Sequence, residues 1–187
     1  MSTRALIAMF VAATAGLVVL AFVTLSSESG RPAISLGTPA AAASCSSGDD
    51  CLPKLTYVDT NGTTYDAEAL KGKVVVVNFW ATWCRPCQSE IPAFSRTYER
   101  YKDAGVVFLG IVTDNPGPQA LLNFSNEFEL SYPVVLSSAE IMDAFEYPRA
   151  LPTTIIFDRT GKRRFHRPGA LQESTLTNQL DLLVAQR

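Results

Sequence analysis

Val74-Val75-Val76-Val77-Asn78-Phe79-Trp80, followed after two residues by Trp83-Cys84-Arg85-Pro86-Cys87, is the stretch that decides how this chain folds. Seven consecutive residues rich in β-branched and aromatic side chains, with no alternation of polar positions, describe a strand buried on both faces of a sheet. Such a strand is parallel to a neighbour and hands over to a crossover helix. The dithiol stands at that handover. If the helix begins near Cys84, the free N–H groups of its first turn and the positive end of its dipole favour thiolate over thiol. Cys84 is therefore the expected attacking sulfur, and Arg85 adds a positive charge that lowers its pKa below the free value of about 8.5. Pro86 suits an early helical position, where a missing N–H costs nothing. Cys87, one turn along and more buried, is the expected resolving thiol. The spacing reads as reversible dithiol/disulfide exchange, with Cys84–Cys87 as the redox centre and no further cofactor.

Working outward, Pro86 to Lys102 is expected to be a helix with Ile91, Phe94 and Tyr98 on one face and a kink at Pro92. Val106–Val112 is a second central strand. Strand, helix and strand make a parallel crossover unit. Further on, a helix over Gln119–Phe128, a strand over Val134–Leu136 and a helix over Ala139–Phe145 follow. Thr153–Asp158 and Arg163–Arg167 flank Arg159-Thr160-Gly161-Lys162 as an antiparallel hairpin, and a last helix spans Glu173–Val184. Before the valine run, Leu55–Val58 and Thr63–Tyr65 form a short hairpin around an Asn61-Gly62 turn. The fold class is α/β, with a central mixed sheet, flanking helices, an N-terminal hairpin and a central αβ insertion.

The chain has 187 residues, a net charge of −2 and one histidine. Its charges are dispersed, which argues against nucleic acid as a partner. Met1–Leu25 is expected to be a membrane anchor or signal sequence. It carries Arg4 and then an uncharged apolar run from Ala5 to Leu25, long enough to cross a bilayer as a helix. An uncleaved anchor places Arg4 in the cytoplasm and the domain outside; a cleaved signal peptide is the alternative. Residues 26–50, rich in Ser, Gly, Pro and Ala, read as a flexible tether, and the folded domain is expected over 51–187. Cys45 and Cys51 enclose a turn-like loop and, outside the cytoplasm, would form a structural disulfide. Their spacing does not suit zinc, and no metal site is expected in the chain.

Several separate motifs carry a family resemblance: Leu70-Lys71-Gly72-Lys73, the run from Asn78 to Cys87, Glu90-Ile91-Pro92, Leu151-Pro152-Thr153-Thr154 and Asp158–Lys162. On these the chain resembles the thioredoxin superfamily, and within it the membrane-tethered TlpA/ResA-like disulfide reductases. The resemblance implies a thioredoxin fold and a thiol:disulfide oxidoreductase outside the cytoplasmic membrane. It implies that Pro152 is a cis-proline which, with Leu151 and Thr153, shapes a strip where substrate docks beside Trp83, Arg85 and Pro86. Glu90 matches a partly buried glutamate that relays a proton. Asn78 departs from cytosolic thioredoxins, which have aspartate there. Implied partners are exported proteins with cysteines, such as apocytochrome c or the copper-site cysteines of respiratory oxidase, and a membrane thiol electron donor. The protein is expected to be a monomer. A dithiol oxidase and a copper-handling thiol protein are the alternative functions. Trp80 serves either the dithiol or the core, and His166 belongs to a solvated hairpin edge.

Overall fold

A computed structural model describes Cys45 and residues 50–186. Strands β1 (Tyr57–Val58) and β2 (Thr64–Tyr65) pair antiparallel as a small separate hairpin. There follow β3 (Val74–Trp80), α1 (Arg85–Tyr101), β4 (Val106–Val112), α2 (Pro118–Glu127), β5 (Val134–Leu136), α3 (Ala139–Ala144), β6 (Thr153–Phe157), β7 (Arg163–Pro168) and α4 (Glu173–Ala185). The main sheet has the order β5-β4-β3-β6-β7. β3, β4 and β5 are mutually parallel, while β6 and β7 run antiparallel to their neighbours. This is the mixed sheet expected of a thioredoxin fold. The inserted α2 and β5 supply its far edge.

β3 is buried along its whole length because both of its faces are covered. Side chains alternate across a strand, so Val74, Val76 and Trp80 enter one core and Val75, Val77 and Phe79 the other. The first core lies under α1 and α4, with Ile91, Phe94, Leu176 and Leu180 fully covered. The second holds Tyr57 of the hairpin, Leu70 and Ile141 of α3. Asn78 falls in the first set by the same alternation. It therefore points toward α1, the helix that carries the dithiol.

Helix α1 runs through Pro92 as one element, with Cys87, Glu90, Ile91 and Phe94 on its buried side. The hairpin turn differs from its expected form. The N–H of Gly62 donates to the Asp59 carbonyl at 2.9 Å, so Thr60 and Asn61 occupy the centre of the turn. Gly62 follows them in the left-handed region at φ +85. The Asp59 carboxylate selects this form, accepting from the backbone N–H of Asn61 at 2.9 Å and of Thr63 at 2.8 Å.

The last part of the expected tether is tied down. Cys45 and Cys51 form a disulfide with Cα atoms 5.7 Å apart. The Cys45 N–H donates to Thr160 at 2.9 Å, and the N–H groups of Leu52 and Arg163 bond to Gly161 and Asp50. The Arg163 guanidinium also pairs with Asp50 at 2.7 Å. All of these contacts hold the β6–β7 turn. Among the described residues no helix is long and apolar enough to cross a membrane, and the expected anchor and residues 26–44 lie outside them.

Candidate active site

Past Trp80 the chain makes one turn before α1 begins, with the Cys84 N–H donating to Ala81 at 3.1 Å. Cys84 is the N-cap residue of α1, in extended backbone at φ −81 and ψ 100. Its sulfur accepts from the Cys87 N–H at 3.3 Å. That contact puts the sulfur over the first-turn N–H groups, where a negative charge is favoured. Cys84 and Cys87 are joined as a disulfide, Cα to Cα 5.2 Å. Cys84 is 4% exposed and Cys87 not at all, so Cys84 is the more accessible residue of the pair. Asp114 braces the loop, accepting from the Thr82 N–H at 3.2 Å and from the Thr82 hydroxyl. Gln88 Nε2 adds a bond to the Thr82 carbonyl at 2.7 Å.

Trp83 is 69% exposed beside this disulfide, and Arg85 and Pro86 are exposed with it. Trp80, in contrast, is fully covered and stacks on Phe124 with ring centroids 5.1 Å apart. It is core. The Leu151–Pro152 peptide is cis. Thr153 pairs with Phe79 in the β3–β6 register, so the start of β6 lies at the same end of the sheet as the dithiol. Pro152 and Thr153 are buried and Leu151 half-buried. His166 is exposed on the edge strand β7.

Glu90 is buried, one turn beyond Cys87 on α1. Its Oε2 accepts from the Leu171 N–H at 2.9 Å and its Oε1 from Asn78 Nδ2 at 3.0 Å. Burial pushes its pKa from 4.5 up to about 7, against the lowering effect of those two donors. Asn78 Nδ2 also donates to Thr154 Oγ1 on β6 at 3.1 Å. Tyr132, just before β5, is buried as well; burial first and the charge of Glu90 second hold its hydroxyl well above the usual tyrosine range. Among the described residues, three buried polar side-chain atoms have no hydrogen-bond partner: Asn78 Oδ1, Trp80 Nε1 and the Tyr132 hydroxyl.

The sequence marks Asn78 as a departure and Thr154 as a motif residue without a role, and assigns no role to Leu171, Tyr132 or Asp114. Leu171 acts through its backbone N–H, which no side-chain pattern marks. A threonine or tyrosine in an apolar stretch gives no local sign that the fold will bring it beside a carboxyl. On the opposite face of the sheet, a cavity of about 730 Å³ is floored by Ile155 and Phe157. Of the expected site residues, only Thr153 and Cys51 line it.

The Redoxin family profile matches residues 22–180. A thiol-disulfide oxidoreductase ResA of Bacillus subtilis (strain 168) is 36% identical over 143 residues, which cover 75% of this chain and 77% of that one. A thiol-disulfide oxidoreductase ResA of Bacillus thuringiensis (strain Al Hakam) is 34% identical over 110 residues, covering 59% of this chain and 63% of that relative, less than two thirds of its length. Among solved structures, a thiol:disulfide interchange protein, thioredoxin family protein, from Chlorobium tepidum TLS superposes with a TM-score of 0.66 at 26% identity. That superposition covers 74% of this chain and 98% of the other.

Proposed function

Because the chain belongs to the Redoxin family of the thioredoxin superfamily and is a thiol-disulfide oxidoreductase, we propose that it works outside the cytoplasm as a reductant of disulfides in exported proteins. The observation that carries this reading is the pairing of the more accessible cysteine, at the N-terminus of α1, with a buried carboxyl one turn beyond its partner. A sulfur over first-turn N–H groups is held as the thiolate, and a carboxyl with a pKa near 7 exchanges protons at the pH of the reaction.

In the reduced form, the Cys84 thiolate attacks one sulfur of a substrate disulfide. A Cys84–substrate bond forms, the substrate S–S bond breaks, and the second substrate sulfur leaves as thiolate and takes a proton. Cys87 then gives its proton to the Glu90 carboxylate and attacks the Cys84 sulfur. The Cys84–Cys87 disulfide forms and the first substrate sulfur is released as thiolate. Two electrons have passed from the dithiol to the substrate, and a thiol carrier in the membrane restores the reduced form. Substrate docks on the strip of Leu151, Pro152 and Thr153 and against exposed Trp83, Arg85 and Pro86. Apocytochrome c and oxidase copper-site cysteines are the proposed substrates, following the TlpA/ResA-like resemblance.

The reduction potential of the Cys84–Cys87 couple, titrated against glutathione or dithiothreitol buffers, tests the direction of flow. A value of about −270 mV or lower is expected of a reductant. A value near −120 mV belongs to an oxidant and would end the reductant reading.

A further inference from the structure

A buried carboxyl that gains and loses a proton needs two sets of partners. The ionised form wants donors on its oxygens; the protonated form needs an acceptor for its new O–H. An unmet polar group in such a place is destabilising. As found, Glu90 faces donors only, Asn78 Nδ2 on Oε1 and the Leu171 N–H on Oε2. The Leu171 N–H is backbone and is a donor in either state. Asn78 is different, because a carboxamide carries a donor and an acceptor on one rotatable group. Its nitrogen makes two bonds, to Glu90 and to Thr154, while its oxygen makes none. The Thr154 hydroxyl can accept or donate.

We propose that Asn78 is the positioning residue that allows Glu90 to hold and release a proton, by reversing its carboxamide about the terminal torsion. With Glu90 ionised, Asn78 Nδ2 donates to Glu90 Oε1 and to Thr154 Oγ1. With a proton on Oε1, the amide turns over and Oδ1 takes the place of Nδ2. There it accepts from the Glu90 O–H and from the Thr154 O–H. The reversal exchanges an unpaired Oδ1 for an unpaired Nδ2 and fills the same volume, so neither arrangement disturbs the packing of β3 against α1. The only covalent change is the transfer of one proton from the Cys87 thiol to Glu90. An aspartate at position 78 has no donor for ionised Glu90 and would set a second negative charge beside it. The inference rests on the reading of Glu90 as the proton acceptor.

The titratable groups near Glu90 are Tyr132 from the stretch before β5 and, one turn back along α1, the cysteines of the dithiol. From β3 and the Leu171 stretch it meets the neutral Asn78 and a backbone N–H, and Thr154 of β6 reaches it only through Asn78. With the dithiol oxidised, the cysteines do not titrate, and Tyr132 stays neutral across the range of interest. The oxidised protein therefore isolates the pair.

The experiment is side-chain NMR of the full oxidised chain, following the Glu90 ¹³Cδ and the Asn78 ¹⁵NH₂ resonances from pH 5 to 9. Both are expected to move with one midpoint. The contact between the Asn78 amide protons and the Thr154 methyl group is expected at high pH and lost at low pH. In Glu90→Gln the Asn78 signals should be independent of pH. In Asn78→Asp the single midpoint should split into two steps at least tenfold apart in proton concentration, with a matching change in the pH profile of thiol exchange. If Glu90 titrates while the Asn78 amide and its Thr154 contact stay unchanged, the reversal is wrong and the proton-acceptor reading stands. If Glu90 does not titrate at all in this range, both are wrong.

Discussion

Glu90 ties function to stability with a definite sign. Its carboxyl binds a proton up to about pH 7 in the folded chain, against an ordinary value of 4.5. Between those two values the folded state holds more protons than the unfolded one, so stability falls as pH rises through that window. The contribution is fully present below pH 4.5 and lost above pH 7. A shift of this size corresponds to about 3 kcal/mol. Urea unfolding of the oxidised protein should therefore show this loss between pH 5 and pH 8, and Glu90→Gln should remove most of the slope. A wild-type slope that survives the substitution would place the titrating group elsewhere. Trp83 makes the opposite case. At 69% exposure it supports little of the core, so Trp83→Ala should change stability by no more than about 0.5 kcal/mol. It should raise KM for a protein disulfide while leaving reaction with a small disulfide unchanged. Equal losses on both substrates would argue that Trp83 shapes the dithiol rather than the docking surface.

At the scale of elements, β3 and β4 show what a sequence does and does not reveal. Their runs of Val, Ile, Phe and Leu identify them as buried parallel strands, and the observed Val74–Trp80 and Val106–Val112 agree with that reading. The helix after the dithiol was equally plain from its apolar spacing. Gly110 was not, because its reason lies across the sheet. A Cβ there would stand 2.6 Å from the Tyr132 ring and 3.0 Å from Trp80 Nε1, two residues far away in sequence. Gly110→Ala should cost about 1–3 kcal/mol by overpacking, read as a lower urea midpoint with an unchanged slope. An unchanged midpoint would mean that Tyr132 can withdraw freely. The hairpin turn was misjudged for a related reason. The Asn61-Gly62 pair predicts a two-residue turn, but the buried Asp59 carboxylate captures two backbone N–H groups and moves the centre back by one. The Cys45–Cys51 pair fastens its segment to the β6–β7 turn, at the end of the sheet away from the dithiol. Replacing both by Ser should lower stability by about 2 kcal/mol through the loss of a short closed loop. The rate of thiol exchange should not change, and a slower rate would show that this latch reaches the active site.

For the whole molecule, the proposed place outside the cytoplasm turns on the residues before the folded domain. No helix among the described residues is long and apolar enough to span one. Any retention by a helix therefore has to come from residues before Cys45, where the apolar run Ala5–Leu25 follows Arg4. Such a run is long enough for a span, and in the proposed arrangement the short positive end stays on the cytoplasmic side. Active-site chemistry fits that arrangement, since a reductant outside the cytoplasm needs a source of thiols in the same membrane. Two measurements on the full chain in cells test it together. After an alkaline carbonate wash the chain should stay with the membrane at its full mass. After mild reduction in intact cells, a membrane-impermeant maleimide should label Cys84. A shortened chain released by the wash would make residues 1–25 a cleaved signal. Labelling only after lysis would put the dithiol on the cytoplasmic side, and the proposed exported substrates would then be out of reach.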